Sequence, residues 1–139
     1  MECTTTPRRV QRTRRRGEPG MPPGAKYIGR GSRHGNRFKV GEPLPWPYSA
    51  RFDEPVLIAD RQMAVLWYAL DLKATVGALY LACRDLAGHD LACWCAEGDL
   101  CHGDVLLPVT NAPEDSAEQM LDIVISVLAY GREFPYGPA

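Results

Sequence analysis

Three cysteines and one histidine lie within ten residues of one another, inside the segment Leu91–Leu107. Cys93 and Cys95 end an apolar run, a short polar turn follows, and Cys101 and His102 open the next apolar segment. Thiols and imidazoles bind metals, attack electrophiles and carry protons, which apolar side chains cannot do. The whole chain has five cysteines and three histidines, so this concentration predicts a site here.

One interpretation is an anion site with an activated thiol. Cys101 is predicted at the start of a helix, where free N–H groups and the helix dipole favour negative charge and lower a thiol pKa. His102 would carry a proton, and Asp104 would cap the helix or bind a ligand hydroxyl. Cys95 ends the preceding strand, so the predicted catalytic residues are Cys95, Cys101, His102 and Asp104.

Zinc is the alternative, with Cys93, Cys95, Cys101 and His102 as a Cys₃His set. Yet two cysteines separated by one residue in a regular strand start about 6.5–7 Å apart, which hinders convergence on one ion. A structural role is the third interpretation, and it is favoured for Cys93, because a free cysteine in a predicted core behaves as a small apolar residue. Trp94 is also expected in the core, and the strand period and the helix start together predict that Cys101–His102 is the exposed chemical end.

A glycine-rich loop after an earlier predicted strand offers a second set of donors. It lacks the Gly-Lys-Ser/Thr of a P-loop, and no helix opens after it as in a dinucleotide fingerprint. Its arginines can bind phosphate or carboxylate through two bonds, although a plain connecting loop can have the same composition. The residues predicted to bind a ligand are Gly29, Arg30, Gly31, Ser32, Arg33, His34 and Asn36.

Hydrophobic periodicity predicts the elements that position these two segments. Asp90–Cys95 is apolar on both faces, as in a central parallel strand, Lys26–Ile28 is a second strand, and Arg8–Arg14 is an edge strand or a tail. Helices are predicted from Asp60, over Val76–Ala87, over Cys101–Asn111, and from Ser116, where Gln119 would complete a capping box, to Gly131.

This order predicts a small three-layer α/β domain with a short, mainly parallel sheet and an added C-terminal helix. Residues 1–7 are predicted to be a disordered tail, 8–111 the domain, and 112–139 a helical extension packed on it. Ligands of such folds bind beyond the carboxyl ends of the strands. Both candidate loops follow strands, so they are expected to meet at one edge of the sheet.

Charge is unevenly distributed along the 139 residues. Residues 1–39 hold eleven Lys and Arg against two acids, whereas residues 40–139 hold five against fifteen. A basic segment attracts phosphate, so nucleic acid is a candidate partner through Arg8–Arg16, although a solvated arm has the same pattern. No apolar run reaches the roughly 18 residues of a membrane span, and no signal peptide is recognised. We expect a cytoplasmic protein with no membrane partner and with its cysteines reduced.

Three segments of the chain resemble the bacterial and phage family called domain of unknown function 4326. They are the basic entry Arg9–Arg12, the segment from Tyr27 to Phe38, and the cysteine-histidine segment from Leu91 to Leu106. The similarity covers residues 8–111, with Arg37 where family members usually have proline. The resemblance implies a small α/β domain and, by analogy, a phage origin, but it carries no established activity.

Two functional hypotheses follow. In the first, the protein binds or acts on a phosphorylated ligand, such as a nucleotide or nucleoside derivative, held by Arg30, Arg33 and the helix start at Cys101. In the second, the basic N-terminal third binds nucleic acid or a host protein, and the Cys/His cluster is structural or binds zinc. The compact cluster favours the first hypothesis and the charge distribution the second. Zinc is compatible with either, no other cofactor is implied, and whether the site is catalytic stays open.

Overall fold

The computed structural model describes residues 6–14, 16–17, 20–113 and 115–131. Most of the predicted tail 1–7, Arg15 of the basic segment and residues 132–139 therefore lie outside the described residues. The described part contains a short 3₁₀ turn at Tyr48–Arg51, three strands and four α-helices. In chain order these are β1 (Arg9–Gln11), β2 (Lys26–Tyr27), α1 (Arg61–Ala74), α2 (Ala78–Leu86), β3 (Leu91–Cys93), α3 (Gly103–Thr110) and α4 (Ala117–Tyr130).

The sheet has the order β1-β3-β2, and β3 pairs in parallel with both neighbours. Leu91 and Cys93 face the helical core, whereas Ala92 faces the other side, where it packs with Val10, Ala25 and the loop residue Met21. The alternation expected of a central strand is therefore present along β3. The prediction of a small α/β domain with a mainly parallel sheet is confirmed, and Arg9–Gln11 forms an edge strand.

The helices share one core on the Leu91 side of the sheet. α3 packs on β1 and β3, and α4 packs against α1 and α3 and fully buries its Leu121 and Val124. Asp60 begins α1 as predicted, because its carboxylate accepts a hydrogen bond from the Met63 N–H. No single helix in the described residues is long and apolar enough to cross a membrane; α1 and α2 together meet that test but are bent by 106°.

The start of α2 differs from its prediction in position, and the start of α4 differs in its cap. α2 begins at Ala78, because Gly77 before it has a left-handed φ of +81°, and Val76 is left fully exposed. The predicted capping box at α4 is absent, since the Ser116 hydroxyl donates to the Pro113 carbonyl and makes no cap bond. In both cases local turn geometry takes precedence over the helical pattern.

Candidate functional site

The chain leaves β3 at Cys93, and this early end brings three cysteines together. Trp94 and Cys95 form a bend instead of continuing the strand. The Sγ atoms of Cys93, Cys95 and Cys101, which we call the three-thiol cluster, all lie within 4.8 Å of one another. Those of Cys93 and Cys101 are 3.2 Å apart. The expectation that the strand hinders convergence of Cys93 and Cys95 is wrong, because it assumed a regular strand through Cys95, whereas β3 ends at Cys93.

Each sulfur of the three-thiol cluster accepts one hydrogen bond from nitrogen. The pairs are Arg9 Nη1 with Cys93 at 3.3 Å, Arg61 Nη1 with Cys95 at 3.6 Å, and the Gly103 backbone N–H with Cys101 at 3.4 Å. Two of the three donors are cationic, and cationic donors stabilise the thiolate form in which cysteine binds metals. The spacing of the sulfurs and these donors show that the cluster could hold a metal ion.

Arg9 also holds the backbone of the turn at Cys95 and Ala96 in place. Its guanidinium donates to the backbone oxygens of Cys95 at 2.9 Å and of Ala96 at 2.7 Å. Partial burial lowers the pKa of Arg9, but the hydrogen bond and charge of Cys93 outweigh that and raise the pKa overall. One side chain of the edge strand therefore joins a sulfur of β3 to the loop that follows it.

The three thiols differ in acidity. Hydrogen bonds from Cys101 and Cys93, assisted by Arg61, lower the pKa of Cys95 far below its ordinary value. The pKa of Cys101 is raised, because its thiol is hydrogen-bonded to Cys93 and Cys95 and is buried. Cys95, the thiol whose pKa is lowered, is also the most exposed of the three and lies beside Arg61.

Cys101 and His102 are buried, with 2% and 6% of their surfaces exposed, so the prediction of an exposed chemical end is wrong. His102 Nε2 lies 2.6 Å from the backbone oxygen of Ile28. A carbonyl oxygen can only accept, so Nε2 carries the proton and Nδ1 keeps its lone pair, 3.6 Å from Cys101 Sγ. Burial lowers the pKa of His102, which favours this neutral ring.

The backbone N–H groups at the start of α3 are already hydrogen-bonded within the protein. The helix begins at Gly103, two residues after Cys101, and the Asp104 carboxylate accepts from the Cys101 N–H at 2.9 Å. The N–H groups of Gly103, Asp104 and Val105 already donate to Cys101 Sγ, Cys101 O and His102 O. The predicted anion site at this helix start is therefore not formed, because the donors it needs are occupied.

The two candidate loops do meet, as expected, in one cleft of about 740 Å³. The three-thiol cluster and His102 line it together with Gly29, Arg30 and Asn36 of the glycine-rich loop. One acid, Glu42, and four cations also line it: Arg14, Arg30, Lys39 and Arg61. The cleft is therefore cationic and borders the sulfurs directly.

The family model "Domain of unknown function (DUF4326)" matches residues 10–112, which include the three-thiol cluster, His102 and the glycine-rich loop. The chain belongs to the DUF4326 family. The resemblance noted from the sequence is thereby confirmed, and α4 lies after the matched residues. No curated protein and no solved structure matches the chain significantly.

In this DUF4326 domain only part of the glycine-rich loop lines the cleft. Ser32, Arg33 and His34 line a separate pocket of about 460 Å³, where His34 Nε2 lies 2.9 Å and Arg33 3.6 Å from the Asp85 carboxylate. Gly31 lines neither cavity and has a φ of +88°. Arg30 is therefore the cationic side chain that this loop brings to the cleft.

Polar contacts inside the loop hold its shape. The Ser32 hydroxyl donates to the Gly29 oxygen at 2.7 Å. The Asn36 amide donates to the Ala64 oxygen, and its own oxygen accepts from the Phe38 N–H. These two predicted ligand-binding side chains are thus engaged within the protein, and they position the backbone around Arg30.

Trp94 lies at the cleft of the DUF4326 domain and not in the core, with 37% of its surface exposed. The bend after Cys93 turns its ring outward, where Arg12 and Arg14 approach to 5.0 and 4.6 Å from the ring centroid. Arg12 also lies 4.9 Å from the Tyr27 ring centroid. Arginine and aromatic side chains therefore alternate at the edge of the cleft.

Sequence reasoning missed Arg9 and Arg61, the two arginines on the sulfurs. Arg9 precedes Val10, whose burial against Ala92 places Arg9 on the opposite face, the face of Cys93. If Arg9–Gln11 is taken as a strand, this alternation predicts that Arg9 lies on the same face as Cys93. The residues around Arg61 form no motif that predicts a site. Its sequence shows only that it directly follows Asp60, the cap of α1.

Proposed function

We propose that the protein binds a phosphorylated ligand, a nucleotide or nucleoside derivative, in the cleft, beside a zinc ion held by the three-thiol cluster. The cleft itself is the observation that carries the proposal, because four cations and one acid surround it next to the sulfurs. Arginine pairs with phosphate through two parallel bonds. The Tyr27 and Trp94 rings offer the stacking surface that a base requires.

Zinc is the proposed metal because of the donor set. Thiolates are soft ligands that favour zinc over magnesium or calcium. Zinc–sulfur bonds of about 2.3 Å in a tetrahedral site place the sulfurs about 3.8 Å apart, and the observed separations lie within 4.8 Å. Three thiolates and one divalent ion leave a single negative charge, which Arg9 and Arg61 offset.

Arg30 and Arg33 allow a test within one loop. Replacing Arg30 by alanine should weaken nucleotide binding about tenfold or more, because it removes a charge-assisted bond in the cleft. Arg33→Ala is the matched control, since Arg33 faces Asp85 in the other pocket, and it should change the affinity less than about twofold. The measurement is calorimetric titration of the zinc-loaded protein with nucleoside mono-, di- and triphosphates.

Two results would contradict this proposal. One is that no nucleotide in the panel binds. The other is that Arg30→Ala and Arg33→Ala weaken binding equally, which would place the ligand outside the cleft. Both results can be interpreted without knowing how the metal is coordinated.

A second candidate function is single-stranded nucleic acid binding at the same edge. The alternating side chains Tyr27, Arg12, Trp94 and Arg14 favour it, because such proteins combine stacking rings with arginines along a basic path. β1 belongs to the sheet, so deleting the basic segment would damage the fold, and point substitutions are required.

Trp94→Ala separates this candidate from a small-ligand site. It should weaken binding of a labelled oligonucleotide by about 1–3 kcal/mol, as expected for loss of one stacked base. Arg14→Ala should reduce the salt dependence of binding by about one ion. Trp46→Ala, at an exposed position that does not line the cleft, is the control in fluorescence anisotropy titrations. Equal effects at Trp94 and Trp46 would exclude the stacking edge as the binding surface.

A further inference from the structure

The three-thiol cluster supplies three of the four donors that a tetrahedral zinc ion requires. Cys93 and Cys101 are buried, whereas Cys95 is half-buried, and all three line the cleft. An ion among these sulfurs would therefore border the cleft and not the closed core. The identity of the fourth donor decides whether the site is structural, with four protein ligands, or open to a ligand.

His102 is the neighbouring side chain that could be the fourth metal ligand, yet its ring is bound to other groups of the protein. Its Nε2 donates to the Ile28 oxygen at 2.6 Å, and the Tyr68 ring lies edge-on to it at 5.0 Å between ring centroids. Among the described residues, the one group of three or more candidate ligand atoms that lie mutually within 4.8 Å is the three sulfurs. His102 Nδ1 approaches Cys101 Sγ to 3.6 Å but does not join that group.

Metal binding would change what His102 Nδ1 contacts. Nδ1 keeps its lone pair and lies 3.6 Å from Cys101 Sγ, and a cysteine bound to metal as thiolate has no proton to donate to it. Nδ1 would then be a buried acceptor without a donor, which is unfavourable. A water molecule in the fourth position of the ion would restore the bond, because metal-bound water is a strong donor.

We propose that a metal ion in the three-thiol cluster keeps its fourth position open to the cleft, and that His102 accepts a hydrogen bond from the group bound there instead of binding the metal. The inference rests on the proposed zinc site and deepens it. A donor atom of the cleft ligand, such as a phosphate oxygen, could then replace the water. The site belongs to the open class of zinc centres, and the ligand and the metal share one cavity.

Cobalt(II) in place of zinc gives the test, because its visible absorption reports the ligands and geometry of the ion. The probe is thiocyanate added to the full chain loaded with cobalt under reducing conditions. The visible bands should shift as thiocyanate enters the fourth position. The sulfur-to-cobalt charge-transfer band should keep its intensity, because all three thiolates remain bound. His102→Gln should bind one cobalt per chain with visible bands like those of the unsubstituted protein.

Visible bands that do not respond to thiocyanate would overturn the open position, although the metal site would stand. A loss of one nitrogen ligand in His102→Gln would make His102 a ligand and overturn its assigned role. If His102→Gln does not fold, the thiocyanate response of the unsubstituted protein still decides whether the fourth position is open. A chain that binds no cobalt would overturn both this inference and the zinc part of the proposed function, whereas nucleotide binding is measured separately.

Discussion

Replacing Cys101 by serine should abolish zinc binding and lower the unfolding free energy of the zinc-loaded protein by about 4 kcal/mol or more. A ligand that binds only the folded state stabilises it by about 4.1 kcal/mol at a thousand times its dissociation constant. A site with two remaining thiolates loses that contribution, since the serine hydroxyl is a weak zinc ligand. Cys101 is also 2% exposed, so the hydroxyl would lie buried beside Cys93.

Cys83→Ser is the matched control for this substitution. Cys83 is a half-buried free thiol of α2 and does not belong to the three-thiol cluster. Its replacement should leave one zinc per chain and change stability by less than about 1 kcal/mol. The measurements are the metal content of the purified protein and urea unfolding with zinc and with a chelator.

Two outcomes would contradict the prediction for Cys101. One is a Cys101→Ser protein that still binds one zinc ion per chain. The other is an unsubstituted protein whose unfolding curve is the same with zinc and with chelator. In the second case the short distance between Cys93 and Cys101 would reflect apolar packing of neutral thiols.

Periodicity predicted the helices because each buries a continuous face. Val124 and Leu128 recur at helical spacing in α4, and Asp60 supplies a cap that is visible in the sequence itself. The convergence of the two loops was also predictable. It follows from their positions after parallel strands, and it needs no knowledge of side-chain contacts.

The end of β3 was not predictable in the same way. The strand is three residues long, and the apolar run continues past it, so Trp94 and Cys95 keep the alternating pattern after the backbone has bent. The exposure of Trp94 and the meeting of the three sulfurs both follow from that bend. The burial of His102 was missed for a related reason. The Ile28 oxygen that satisfies its ring is 74 residues away in sequence.

The second large effect is expected at Arg9, whose partners are also remote in sequence, 84 to 87 residues away. Arg9→Ala should lower the unfolding free energy by about 2–4 kcal/mol. It removes bonds to two backbone oxygens and one sulfur, and hydrogen bonds to charged groups contribute about 1.5–3 kcal/mol each where burial is complete. The side-chain stem also packs at the start of α3, where a β-carbon built on Gly103 would lie 3.0 Å from Arg9 Cδ.

Arg8→Ala controls for the loss of a positive charge from the same strand region. Arg8 is exposed, and its described contacts use the backbone: its N–H donates to Asp90 and its oxygen accepts from Leu91. Its replacement should therefore change stability by no more than about 0.5 kcal/mol. Arg9→Lys should restore only part of the loss, because one ammonium cannot span two carbonyls and a sulfur as a planar guanidinium does.

The metal readout separates a role of Arg9 at the site from a role in packing alone. If its guanidinium stabilises the Cys93 thiolate and holds the turn of Cys95, Arg9→Ala should weaken zinc binding about 10- to 100-fold, as is typical when a group that orients metal ligands is lost. Competition with a zinc-sensitive dye measures this directly. Equal zinc affinities for Arg9→Ala and Arg8→Ala would limit Arg9 to the fold. If only Arg9→Ala weakens zinc binding, Arg9 of the edge strand stabilises the thiolates of a site whose ligands lie far along the chain.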